Sequence, residues 1–152
     1  MCYELDFIKC VLFEENIITF NYERLNLEKI VKIGSKELML PALYSRIMSI
    51  GIDKYFPHDF ISFLKKINQF NLERNEILIE EIKCISKILN NSKIEFLFIK
   101  GSANQILKVY DNISDRMVND IDILVSEKDL DKANQIFLKN KYKKITEFDF
   151  FE

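Results

Sequence analysis

Apolar residues recur three and four positions apart through the first third of the chain: Leu5, Ile8 and Leu12, then Leu27, Ile30 and Val31, then Leu38, Leu43, Ile47 and Ile50. That spacing gathers them on one stripe of a helix, so it predicts three amphipathic helices with breaks near Asn21, at Gly34-Ser35 and at Gly51. The longest periodic tract opens at Pro57, which suits the start of a helix, and continues to about Asn90. Phe60, Phe63, Leu64, Ile67, Phe70, Ile77, Ile82, Ile85 and Leu89 would share its broad apolar face. A helix of that length leaves room for a bend around Asn68 to Asn75.

The period changes after Asn90-Asn91-Ser92. Ile94 to Ile99 is a compact apolar run behind turn residues, which predicts a central strand. It runs into Lys100-Gly101-Ser102, after which Ala103, Ile106, Leu107 and Tyr110 return to helical spacing. Asp120 to Val125 predicts a second strand, with Ile121, Ile123 and Val125 on one face and Asp120 and Asp122 on the other. Ser126 caps a helix reaching about Asn140, and Lys141 to Phe148 reads as a third strand. The expected fold is therefore α+β: a helical N-terminal region over residues 1–91, packed with a short mixed sheet and its flanking helices over residues 92–152.

Composition narrows the function. With 48% hydrophobic residues, only 3 Gly and 2 Pro in 152, the chain can bury a core, which excludes disordered and fibrous classes. Lys and Arg number 22 against 24 Asp and Glu, a net charge of -2, so no molecule-wide positive field gathers nucleic acid or acidic membrane. Any polyanion must be gripped locally. Cys2, Cys10 and Cys84 lack CxxC spacing and read as helix-core thiols in a reducing compartment, by default the cytoplasm. No stretch approaches the roughly 20 apolar residues of a membrane span. Lys139, Lys141, Lys143 and Lys144 read as a solvated helix end rather than a grip on nucleic acid, and His58 as part of a helix start.

The chemistry-bearing residues lie between positions 99 and 122. Two carboxylates one residue apart on a strand project from the same face, close enough to share divalent cations, and hard oxygen ligands suit Mg²⁺. Upstream, Gly101 permits a close backbone approach and Ser102 stands where a helix begins, so amide groups face whatever lies beyond the strand end. Lys100 and Arg116 flank the same place as cations. Taken singly, each is ordinary: an Asp-x-Asp on the wet side of a strand, a strand-to-helix turn, two surface charges. Metal-dependent glycosyltransferases also use Asp-x-Asp, but their chemistry does not require the Lys-Gly-Ser turn.

Together they carry a resemblance. Phe98-Ile99-Lys100-Gly101-Ser102, then Tyr110, then Arg116 four residues before Asp120-Ile121-Asp122-Ile123-Leu124-Val125, resembles the uncharacterised nucleotidyltransferases of the polymerase-beta-like superfamily. The likeness is specific from about Ile94 to Tyr142, and looser over the preceding helices and the Asn71 to Asn75 tract. It implies that Lys100, Gly101, Ser102 and Arg116 bind a nucleoside triphosphate, ATP for instance, while Asp120 and Asp122 hold two catalytic Mg²⁺ ions. The implied reaction moves a nucleoside monophosphate to an acceptor hydroxyl. The superfamily's third carboxylate is expected on a later strand, where this chain offers Glu147, Asp149 and Glu152, each reading as a surface charge. Phe148, Phe150 and Phe151 crowd the last five residues, so the expectation is a shortened chain whose tail a second copy or a protein partner covers. The competing expectation is a catalytically inactive module that works by protein-protein interaction.

Overall fold

Apolar stripes at helical spacing fold into α1 (Tyr3–Phe13), α2 (Leu27–Lys36) and α3 (Leu40–Ser49). The computed structural model describes residues 2–13 and 21–144. Asn26 starts α2, its side-chain oxygen accepting from the Lys29 amide at 2.9 Å, and Pro41 stands in the first turn of α3 where its missing donor costs nothing. The break expected at Gly34-Ser35 lies further on. Gly34 stays inside α2, where a Cβ would sit 2.5 Å from the Leu40 side chain, and the chain turns instead at Leu38, with φ of 57°.

One unbroken helix, α4 (His58–Asn91, 34 residues), follows. At about 1.5 Å per residue it spans roughly 50 Å and passes through both cores of the molecule. Phe7, Ile30, Leu43, Ile47 and Leu64 form the first core, all at most 0% exposed, ringed by Tyr22, Phe56 and Phe60. Ile85 and Leu89 reach the second, smaller core with Ile94 and Ala133. Phe63, Phe70 and Ile77, expected on the buried face, are exposed, because the stripe that packs is narrower than the apolar pattern.

The second core lies under a two-stranded antiparallel sheet, β1 (Phe96–Ile99) and β2 (Asp122–Val125), with Phe98 opposite Ile123 and Ile99 opposite Asp122. Phe96, Phe98, Ile121, Ile123 and Val125 pack inward, while Leu97 and Leu124 face out, so the expected alternation holds. Both strands are shorter than expected. Among the described residues the sheet has only this pair, so the strand expected to be central has a partner on one side alone. Of Lys141–Phe148, expected as a third strand, residues 141–144 form a turn and irregular chain; residues 145–148 lie outside the described residues.

Helix α5 (Lys100–Ile106) follows β1 directly and ends well before Tyr110, and α6 (Leu130–Lys139) follows β2 through a 3₁₀ turn that opens at Ser126. After α6 the Tyr142 hydroxyl donates to Glu81 on α4, and burial, then that carboxylate, push its pKa up to about 12. No described helix is long and apolar enough to cross a membrane. Cys2 and Cys10 are half-buried and Cys84 is exposed, so the last is not the core thiol its spacing suggested.

Candidate active site

Chain geometry brings residues 100 and 122 together before any side chain is considered. Ile99 and Asp122 are cross-strand partners, and Lys100 turns out of β1 with φ of 54°, a left-handed value that costs about 1 kcal/mol in a non-glycine residue. The strand thereby passes into α5 with no intervening loop. The Lys100 ammonium lies 3.0 Å from Asp122 Oδ1; its side chain is 70% exposed and that of Asp122 is 24%. The pair is thus open to solvent on the lysine side and half-sheltered on the carboxylate side.

Gly101 and Ser102 face inward. A Cβ on Gly101 would sit 2.9 Å from Val118 Cγ1, and Val118 is buried, so the glycine lets α5 close down on the segment leading to β2. Ser102 is fully buried, and its hydroxyl donates to the Asp120 carbonyl at 3.4 Å. Its hydroxyl is therefore engaged, and what the turn can offer an anion is the backbone amides of a first helical turn, which have no partner four residues back. Asp120 itself is exposed at the threshold of β2, and Arg116 is exposed on the loop before it. The structure thus gathers Lys100, Gly101, Ser102, Asp120 and Asp122 around one junction, with Arg116 on the connecting loop. Tyr110 lines a surface cavity of about 390 Å³ with Asn104, Gln105 and Asp111, whose lining includes none of Lys100, Asp120 and Asp122.

Asp120 and Asp122 are the carboxylates at this junction that could take a hard cation, and Asp122 Oδ1 already accepts from the Lys100 ammonium. Among the described residues no three acidic, His or Cys side chains come together. Glu147, Asp149 and Glu152 lie outside the described residues.

In the sequence the Asn71 to Asn75 tract stands out only as part of a loose likeness; what its side chains bind is not foreseen there. Asn68, Asn71 and Asn75 of α4 all donate to the 113–116 loop or its side chains, and Ser45 of α3 donates to Asp115 Oδ1 at 2.5 Å. The available signal was the position of two asparagines on the packed stripe of a helix, where leucine or isoleucine is the rule.

A family model described as an uncharacterised nucleotidyltransferase matches residues 23–149. No curated protein and no solved structure matches the chain.

Proposed function

Since the chain belongs to this uncharacterised nucleotidyltransferase family, we propose that it transfers a nucleoside monophosphate from an NTP, ATP foremost, to an acceptor hydroxyl in a Mg²⁺-dependent reaction. The observation that carries the reading is the 3.0 Å approach of Lys100 to Asp122 across the strand-helix junction. A cation-binding carboxylate and an anion-binding turn at one spot are what a metal-bound triphosphate requires.

In this reading Asp120 and Asp122 would hold two Mg²⁺ ions, which would supply charge neutralisation for the phosphoryl transfer. Lys100 and Arg116 are the cations for the phosphate oxygens, and the amides of Gly101 and Ser102 orient them. The acceptor oxygen bonds to the α-phosphorus as the bond to pyrophosphate breaks, and the hydroxyl proton passes to solvent. The protein's share is positioning and electrostatics. Free Cys2, Cys10 and Cys84 fit a reducing compartment, the cytoplasm.

Calorimetry with Mg²⁺ and each of the four NTPs tests this. Wild-type protein should bind at least one of them, and Asp120→Ala/Asp122→Ala should not; binding that survives the double substitution sinks the reading. A second reading, an inactive module that binds a protein partner, draws on Leu97 and Leu124, which are cross-strand partners 60% and 57% exposed on the outer sheet face. A protein that is monomeric by light scattering and turns over NTP removes that second reading.

A further inference from the structure

The middle of α4 breaks the apolar pattern that its two ends keep. Leu64, Asn71 and Ile85 fall on one seven-residue track of the helix, and Asn75, Ile82 and Leu89 on the neighbouring one. Two asparagines therefore occupy positions that face protein: Asn71 is 3% exposed and Asn75 is 0%. Burying an amide is costly unless it is hydrogen-bonded, and here both amides spend their donors on one short stretch of backbone. Asn71 Nδ2 donates to the carbonyls of Ser114 at 2.6 Å and Arg116 at 3.2 Å. Asn75 Nδ2 donates to those of Ile113 at 2.6 Å and Arg116 at 2.8 Å. From the opposite side Gln105 of α5 reaches the Ile113 carbonyl at 3.4 Å.

A loop without a ladder of its own must satisfy its carbonyls elsewhere, and this one does so through side chains of two helices. Asn71 and Asn75 converge on the carbonyl of Arg116, so they fix the backbone from which its guanidinium projects. The Oδ1 atoms of both asparagines are buried and, among the described residues, have no hydrogen-bond partner. Such orphaned acceptors lower stability. The arrangement is thus poor for holding the fold and good for holding a shape.

We propose that Asn71 and Asn75 are positioning residues that hold the 113–116 loop so that Arg116 meets the nucleotide phosphates. The inference rests on the reading above that Arg116 lies at those phosphates. It makes the helical region part of the nucleotide site, since Asn68, one turn earlier, donates to Ser114 Oγ at 2.9 Å and Ser45 reaches Asp115 from α3.

The test is a double-mutant cycle on the full chain, titrated calorimetrically with Mg²⁺ and the α,β-methylene analogue of whichever NTP binds best. Arg116→Ala should weaken binding about ten- to hundredfold, the loss of a charge-assisted hydrogen bond. Asn71→Ala, which leaves Asn75 on the Arg116 carbonyl, should weaken it about three- to tenfold in the wild-type background, and by less than about twofold once Arg116 is alanine. Ile47→Val, a core variant, should leave affinity unchanged although it lowers the melting temperature. Equal effects of Asn71→Ala in both backgrounds overturn the positioning role while leaving the proposed activity standing. No nucleotide binding by wild type, or none lost in Arg116→Ala, overturns the role together with the reading beneath it. Asn75→Ala is the stronger variant; should it not fold, amide exchange of residues 113–118 in Asn71→Ala reads the loop directly, and unchanged exchange there counts against the proposal.

Discussion

In its first turns α4 presents Phe60 and Leu64 to a core of apolar side chains, whereas at its middle it presents Asn71 and Asn75 to the backbone of residues 113–116. The first region is held by surface removed from water. Phe7, Phe56 and Phe60 pack with ring centroids 5.8 and 5.4 Å apart, and Tyr22 stacks on Tyr55 at 4.6 Å. The second region is held by directed bonds to carbonyls, over a smaller core. Apolar burial has no direction and tolerates rearrangement that keeps volume, whereas a hydrogen-bonded loop has one geometry. Burial of the apolar core and the hold on the 113–116 loop thus fall to different stretches of one helix.

Replacing Leu43 sharpens that division most. It is fully buried in the first core, so Leu43→Ala should cost about 2–5 kcal/mol in urea unfolding, as core truncations do. A cost under about 1 kcal/mol would mean the helical region is not where stability resides. Gly101→Ala probes the second region with a smaller effect. Overpacking against Val118 costs about 1–3 kcal/mol, and alanine in a helix returns about 0.5–1 kcal/mol, leaving a net loss of about 1 kcal/mol. Adding Val118→Ala should relieve the clash, so the two substitutions together should cost less than their sum. Strict additivity would show that α5 does not press on Val118.

The comparison also explains what the residues disclosed in advance. Helices α1 to α4 were legible because one physical rule, burial of a stripe, sets both their period and their packing. The faces of Asp120 to Val125 were legible for the same reason at period two. Boundaries were less so: Gly34 looked like a break and is a packing residue, because what decides its role is Leu40 arriving from the next helix. Phe63, Phe70 and Ile77 looked buried and are exposed, because hydrophobicity cannot say how wide the receiving surface is. Lys100, Gly101, Ser102, Asp120 and Asp122 could be singled out as candidates because their residue types suit one chemistry, and of these the structure joins Lys100 to Asp122. The tract from Asn71 to Asn75 was visible as a loose likeness but its role was not, since that lies in carbonyls some forty residues away, as in the contact from Asn75 to Ile113.

The smallest effect expected lies at the edge of the first region, where an ion pair joins α1 to α2. Glu4 accepts from Lys29 Nζ at 2.7 Å; its side chain is 8% exposed and that of the lysine is 49%. The hydrogen bond from Lys29, followed by one from the backbone of Glu4 itself, lowers the Glu4 pKa from 4.5 to about 2. A carboxyl whose folded pKa is depressed takes up its proton more readily in the unfolded chain, so its contribution to stability is complete above pH 4.5 and fades as pH falls toward 2. Many carboxylates titrate in that window, so the measurement is a difference: urea midpoints of wild type and Glu4→Gln between pH 6 and pH 2. The gap should be widest at pH 6 and narrow steadily below pH 4.5, and half-molar salt should reduce it only in part, because Glu4 is sheltered while Lys29 is not. A gap that stays constant with pH would mean the pair contributes only packing, and the division between an apolar first region and a polar second one would be sharper than the ion pair suggests.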